Sequence, residues 1–237
     1  LERFQELVLE LDPDVIVGWN VIDFDLDYLK KKFKEHKVPF LFGRVPWPCK
    51  LRISESFFRD SSADFPGRMV LDGIHLMKTS FIKLDDYKLN TAAKHILGDT
   101  KIFQGAGRHD EITEAYNKDP QKLVDYNLKD SILAYDVIFK SGSFDLTILR
   151  SLLTRMQLDR VNASIASFDS LYLRELQKRK LVAPSANIVD REERILGGFV
   201  MDPKPGIYDN IVIVDFKSLY PSIIRSFNID PVSFVPK

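Results

Sequence analysis

The alternation of short apolar runs with helical periodicity constrains this fold most. A buried strand is predicted over Asp14–Trp19, where Val15–Val17 form an apolar run of strand length. Apolar residues recur at helical spacing before it, over Leu1–Leu11, and a second helix is predicted from about Asp23 to His36. Strands that alternate with helices favour an α/β layer fold through the first two thirds of the chain.

The middle of the chain continues this pattern. Val38–Gly67 is rich in Pro, Gly, Ser and aromatic residues, which predicts short irregular strands and a long loop. Met69–Leu71 predicts another strand, and Tyr87–Leu97 predicts a helix. Asp119-Pro120 is a strong helix start, because Asp is a favourable N-cap and Pro suits the first helical position. This helix is expected to run to about Lys140.

Four further elements are predicted in the last hundred residues. Helices are expected around Phe144–Leu158 and Ser164–Lys180. Tyr208–Phe216 predicts a strand, and a last helix is expected from Pro221 to about Asn228.

Composition limits the classes of protein to which the chain can belong. Lys+Arg and Asp+Glu number 34 each, so the formal net charge is zero, whereas a nucleic-acid-binding protein is more often basic. Cys49 is the single cysteine, which excludes an internal disulfide and fits a reducing cytoplasm. No apolar run approaches the roughly 20 residues that cross a bilayer, so no membrane insertion is expected. The first residues lack a Met and a signal-peptide pattern, so we expect the chain to open within a longer protein.

The first candidate site is the segment Asn20–Asp25. It follows the predicted strand, and ligands of α/β folds usually bind at the carboxyl ends of strands. Carboxylates held there suit a hard metal cation. The alternative is that Asp23, Asp25 and Asp27 only decorate a first helical turn, where acids favour the helix dipole.

The second candidate site lies on the helix that starts at Asp119. Residues four apart share a helix face, and one stripe contains Leu123, Tyr126, Asp130, Ala134 and Val137. A carboxylate on an apolar face needs a cation or donors nearby, and the Tyr126 hydroxyl is one turn away. A half-exposed Asp beside a packed Tyr is an equal alternative.

The third candidate site is Asp215–Ile224. The apolar run Ile211–Val214 predicts a strand that delivers Asp215 to its end. Ser218–Tyr220 then offer backbone N–H groups near a helix N-terminus, a geometry that favours a phosphate. A carboxylate that holds a metal beside an anion site is suited to phosphoryl or nucleotidyl transfer. A plain strand–turn–helix with a capping Asp is the weaker alternative.

Together these motifs resemble those of the family B DNA polymerases. Asp215–Ile224, DFKSLYPSII, resembles polymerase motif A of that family. Asn20–Asp25 is similar to its second exonuclease motif, and Tyr126–Asp130 to its third, Y-x-x-x-D. The motifs occur in the family's order, and the resemblance covers essentially the whole chain.

The resemblance implies the fold and the domain limits. Residues 1–162 would form a 3′→5′ exonuclease domain of the ribonuclease H type, a mixed sheet flanked by helices that lacks its first strands. Residues 163–184 would form a helical connection, and residues 185–237 the start of a polymerase palm.

The resemblance also implies the roles of the exonuclease residues. Asp25 and Asp130 would be metal-ligating carboxylates of a hydrolase that removes a mispaired 3′ nucleotide. Tyr126 would help to position the attacking water, and Asn20 and Phe24 would contact the frayed 3′ end.

In the polymerase site, Asp215 would ligate the metal ions and the backbone carbonyl of Phe216 would complete the coordination. The backbone of Ser218 and Leu219 would bind oxygens of the incoming triphosphate. Tyr220 would exclude a ribose 2′-OH.

The implied cofactors are two Mg²⁺ ions in each active site, with Mn²⁺ as a substitute. The implied partners are a DNA primer–template, a single-stranded 3′ end, deoxynucleoside triphosphates and a sliding clamp bound through regions outside this chain, with no membrane. A cytoplasmic, nucleoid-associated location is expected.

Several family features are missing from the chain. The first exonuclease motif, D-x-E, and polymerase motifs B and C are absent, and Ile195 replaces the Tyr of a Y-x-G-G pattern. We therefore expect this chain alone to be inactive or nearly so. Two other functions stay open: a stand-alone ribonuclease H-like nuclease and a non-catalytic polymerase-like scaffold. Spacing selects Asp25 and Asp130 over the neighbouring carboxylates, which are Asp23, Asp27, Asp72, Asp125 and Asp136.

Overall fold

The structure is a computed structural model that describes residues 1–54, 61–99, 108–183 and 197–229, with only the backbone over 108–110. Ile195 and the sequence around it lie outside the described residues. The chain divides into two compact units, Leu1–Tyr172 and Leu173–Lys237. Within the described ranges, every helix is too short or too polar to cross a bilayer.

The first unit contains the predicted strands and helices, with two helices that were not predicted, Gly73–Lys78 and Arg108–Lys118, and with a π-helix at the start of the predicted helix Asp23–His36. Strands and helices are listed here in chain order: α1 Glu2–Leu11, β1 Val15–Gly18, a π-helix Val21–Leu26, α2 Asp27–Glu35, β2 Lys50–Arg52, β3 Ser62–Asp64, β4 Met69–Asp72, α3 Gly73–Lys78, α4 Leu89–Leu97, α5 Arg108–Lys118, α6 Pro120–Lys140, α7 Ser143–Thr154, α8 Ser164–Lys178 and α9 Leu219–Phe227.

Strands β1 and β4 form a parallel pair that organises the first unit. Val15 lies opposite Met69 and Gly18 opposite Asp72, so both strands end at the same edge. Strands β2 and β3 form a separate antiparallel pair. The α/β class is confirmed, but the described residues contain two two-stranded sheets in place of one mixed sheet, because β4 is the only described strand that pairs with β1.

The core of the first unit packs on both sides of this pair. On one side Phe33, Phe42 and Phe65 are almost fully buried and their rings pack against one another. On the other side α6 packs against β1, α3 and α4, with Leu133 and Val137 buried. The parallel pair is therefore fixed between an aromatic cluster and a long helix.

The start of α6 confirms the prediction made from Asp119-Pro120. The Asp119 carboxylate accepts a hydrogen bond from the Lys122 backbone N–H at 3.1 Å, and Pro120 is the first helical residue. This cap fixes where α6 begins and therefore where Tyr126 and Asp130 lie along it.

The prediction of a strand over Tyr208–Phe216 is wrong. These residues form no strand, and Ile213 is 90% exposed. A strand needs a hydrogen-bonded neighbour, and the described part of the second unit contains no strand at all. The last helix also begins at Leu219, two residues before the predicted Pro221.

Candidate functional site

The turn after β1 is built from a close backbone approach and a left-handed residue. A Cβ on Gly18 would lie 2.8 Å from the Val21 Cβ, so only glycine fits there. Asn20 has φ 60° and is the N-cap of the π-helix. Phe24, 68% exposed, and Asp25 project away from the core. The buried residues of the same helix are Val21, Ile22 and Leu26.

Asp72, at the end of β4, holds this turn in place. Its side chain is buried, and it accepts hydrogen bonds from the Ile22 N–H at 3.2 Å and from the Ile74 N–H at 2.9 Å. Partial burial raises the pKa of Asp25 above its ordinary value, the negative charge of Asp72 raises it further, and a backbone hydrogen bond at residue 25 opposes the rise. A nearby cation would favour the ionised form of Asp25.

The second motif lies on the inner face of α6. Tyr126 is buried beside Ala115, and Asp130, one turn further along, is half-buried with its Oδ1 atom shielded from solvent. Ala134 and Val137 continue the stripe as buried residues, so the predicted inward face of this helix is confirmed.

Asp25 and Asp130 lie on different elements that both pack on the parallel pair, since the π-helix contacts β4 and α6 contacts β1. Their oxygens are the donors that a hard divalent cation prefers. Among the described residues, however, no three His, Cys, Asp or Glu side chains form a group able to hold a metal ion. The convergence of Asp25 and Asp130 on one ion stays a prediction.

The third motif lies in the second unit and is exposed throughout. Asp215 and Phe216 precede α9 without regular structure. Ser218, with φ 54°, is the N-cap of α9, so Leu219 and Tyr220 place their backbone N–H groups in its first turn. The predicted helix N-terminus is thus present beside Asp215, and the described residues of this unit contain no sheet to support it.

The sequence does not predict that Asp72 belongs to the first site; there it is only one of the carboxylates near Asp25 and Asp130. The pattern that points to it is a polar residue directly after the predicted strand Met69–Leu71, followed by Gly73. A Cβ on Gly73 would lie 2.7 Å from the Trp19 ring, so the Asp-Gly step marks a close approach to the residue before Asn20.

Two family models match the chain. One, described as the exonuclease domain of DNA polymerase family B, matches residues 1–92. The other, described as DNA polymerase family B, matches residues 152–237.

Curated relatives match along almost the whole chain. The chain is 36% identical to DNA polymerase II of Escherichia coli over 238 residues, covering 99% of this chain and 30% of that protein. It is 31% identical to a DNA polymerase of Thermococcus litoralis, covering 98% of this chain and 14% of the relative. It is 30% identical to DNA polymerase 120R of Invertebrate iridescent virus 3, covering 97% of this chain and 22% of that protein. The chain thus spans less than a third of the length of these relatives.

Proposed function

Because this chain belongs to family B of the DNA polymerases, we propose that it supplies part of a 3′→5′ proofreading exonuclease and the first carboxylate motif of a DNA-directed DNA polymerase. The observation that carries the proposal is the turn after β1, which is held on the end of β4 and presents Asn20, Phe24 and Asp25. Its π-helix supports this, because π-helical turns are rare in proteins and those that occur often lie at functional sites. The parallel strand pair and the helix packed on it support a ribonuclease H-like exonuclease domain.

In the exonuclease, Asp25 and Asp130 would hold two Mg²⁺ ions, or Mn²⁺ as a substitute, together with carboxylates from outside this chain. When bound, such ions activate water and stabilise developing negative charge. The Tyr126 hydroxyl, one turn from Asp130, positions the attacking water. The exposed Phe24 ring offers a surface on which a frayed base can stack, and Asn20 binds the 3′ nucleotide.

In the polymerase, Asp215 and the Phe216 carbonyl would ligate the ions that bind the incoming deoxynucleoside triphosphate. The backbone N–H groups of Ser218 and Leu219, at the start of α9, bind its phosphate oxygens. The Tyr220 ring occupies the space that a ribose 2′-OH would need. This site requires the remaining palm strands before these groups can act together.

The other properties that we propose follow from the family. The substrates are a primer–template and a single-stranded 3′ end, a sliding clamp binds elsewhere on the longer polymerase, and the protein works on cytoplasmic DNA at the nucleoid. The chain covers 30% of the E. coli relative and supplies only two exonuclease carboxylates of the family's motifs. By itself it is therefore inactive or nearly so.

A nuclease assay on 5′-labelled single-stranded DNA with Mg²⁺ tests the proposal. It compares this chain with a longer polymerase that contains it. The longer protein is expected to digest the DNA, and Asp25→Ala or Asp130→Ala is expected to slow digestion by roughly 10²–10³-fold, the scale of losing a group that stabilises transition-state charge. Asp23→Ala, which removes an exposed carboxylate two residues away, is the matched control and should retain activity.

Each alternative function predicts another pattern. Metal-dependent digestion by this chain alone, lost in Asp25→Ala, would establish a stand-alone nuclease and contradict the proposed inactivity. Full digestion by the longer protein carrying Asp25→Ala would remove Asp25 from the site. Absence of both nuclease and polymerase activity in the longer protein would favour the non-catalytic scaffold.

A further inference from the structure

The buried carboxylate of Asp72 caps two helices at once. Its Oδ1 atom accepts from the Ile74 N–H at 2.9 Å, in the first turn of α3, and its Oδ2 atom accepts from the Ile22 N–H at 3.2 Å, in the first turn of the π-helix. First-turn N–H groups have no acceptor within their own helix. Both oxygens of one residue, only 3% exposed, therefore satisfy donors on two separate elements, and Ile22 lies fifty residues before Asp72 along the chain.

Because Asp72 accepts this N–H group, the Asn20 side chain does not cap the π-helix. Asn20 is the N-cap residue of the π-helix, and Asn is among the best capping residues. Its side chain nevertheless makes no capping hydrogen bond in this structure. Because Asp72 provides the acceptor instead, the Asn20 amide is left for another ligand.

The surroundings of Asp72 favour a positioning role. Both carboxylate oxygens accept backbone N–H groups and the residue is only 3% exposed, so Asp72 is enclosed by the turn that it holds. The junction is also rigid on its other side. Trp19 donates from Nε1 to the Tyr87 carbonyl at 3.0 Å, and its ring lies so close to Gly73 that no side chain fits between them.

We propose that Asp72 is a positioning residue of the exonuclease site. By capping α3 and the π-helix together, Asp72 holds the π-helix that carries Asp25 against the end of β4. The Asn20 amide is then left to bind the 3′ nucleotide. This inference rests on the proposed function of that site, whereas the double cap itself is independent of it.

Amide hydrogen exchange of this chain tests the double cap without any activity. In Asp72→Asn the side chain keeps its size but has one acceptor oxygen, and its NH₂ group can only donate. The exchange rate of Ile22 or Ile74 is therefore expected to rise about tenfold or more. Asp119→Asn is the matched control, because Asp119 caps α6 alone and Asn caps a single helix as well as Asp does. Exchange at Lys122 should change little in that variant.

A second variant keeps the test decisive where Asp72→Asn fails to fold. Asn20→Gly removes the side chain and tolerates the positive φ of this position. It should leave exchange at Ile22 unchanged, because the cap comes from Asp72. A tenfold faster exchange at Ile22 in Asn20→Gly, or unchanged protection of both amides in Asp72→Asn, would overturn the double cap.

The role in positioning is tested in a longer polymerase that contains this chain. Asp72→Asn is expected to raise the Mg²⁺ concentration for half-maximal exonuclease activity by about tenfold, as loss of a group that orients a metal ligand does. Excess Mg²⁺ should restore much of the rate, which it would not do for a merely unfolded domain, and polymerase activity should be retained. If Asp25→Ala abolishes the exonuclease but Asp72→Asn leaves its Mg²⁺ dependence unchanged, the positioning role fails and the proposed function stands. If Asp25→Ala has no effect either, the proposed function fails.

Discussion

Two segments of this chain share one local pattern, an apolar run that leads to an aspartate motif and a helix, yet only one of them folds as a strand. Val15–Val17 lie in β1 and are half-buried. Ile211–Val214 form no strand and are between 67% and 90% exposed. The first run has β4 beside it in parallel register, and no strand of the described second unit lies beside the other.

The difference shows that pairing, and not the apolar run itself, sets the geometry of a carboxylate motif. A strand propensity is realised when neighbouring strands supply hydrogen bonds and packing. In the first unit that neighbour also supplies Asp72, which anchors the turn holding Asp25. In the second unit Asp215 precedes α9, and no strand among the described residues supports it.

The strongest test of this comparison places one charge on β4, the strand that pairs with the first segment, and another within the second segment. Val70→Asp, on β4 opposite Ile16, would bury an unpaired carboxylate at a position now 3% exposed. We expect a loss of at least about 4 kcal/mol in the free energy of unfolding, enough to unfold a marginal domain. Val212→Asp, at a position 83% exposed, is the matched control and should change it by less than about 0.5 kcal/mol. Equal losses in urea denaturation would contradict the contrast.

A second pair of variants tests which arginine stabilises the amino end of the parallel strand pair. Arg68, whose side chain is 1% exposed, donates to the Phe42 carbonyl at 2.8 Å and to the Pro13 carbonyl. Arg68→Met keeps the apolar stem but leaves these carbonyls without their donors, so we expect a loss of about 2–3 kcal/mol. Arg44→Met removes a side chain that is 35% exposed, pairs with Asp12 and Asp14, and donates to the Asp12 and Gly67 carbonyls. Because water can replace these contacts at an exposed site, the change should cost about 1 kcal/mol or less. A reversed order in thermal unfolding would show that burial does not decide the anchor.

The smallest expected effect concerns the charge of Asp25. Its pKa is raised in the folded protein, so the folded state binds this proton more tightly than the unfolded chain. The resulting stability is present below the unfolded pKa and is lost as the pH rises through the folded value. Asp25→Asn should therefore be more stable than the native chain at neutral pH, and equal to it in acid. The gain is roughly 0.5 kcal/mol or less, because the side chain is only partly buried and water screens its charge.

Urea denaturation of Asp25→Asn and of the native chain, at neutral pH and in acid, measures this difference in the free energy of unfolding. Asp215→Asn, in the exposed segment before α9, is the control and should leave the free energy of unfolding unchanged. A native chain that is more stable than Asp25→Asn at neutral pH would contradict the raised pKa of Asp25.

Local signals in the sequence predict most of the first unit and fail where contacts are distant. The start of α6 is predicted because Asp119 and Pro120 are adjacent to the helix they define. The double cap at Asp72 is not, because Ile22 and Asp72 meet only after β1 and β4 have paired. The strand at Tyr208–Phe216 is overpredicted for the same reason, since local composition does not reveal whether a partner strand is present.

The central claim is that Asp25 and Asp130, on separate elements of the first unit, converge to hold a divalent ion. Anomalous diffraction from crystals of this chain soaked in Mn²⁺ tests it most directly. We predict an Mn²⁺ ion within about 2.5 Å of an oxygen of either carboxylate, with the other carboxylate facing the same ion. Two carboxylates on separate surfaces, with no ion at either, would contradict the account.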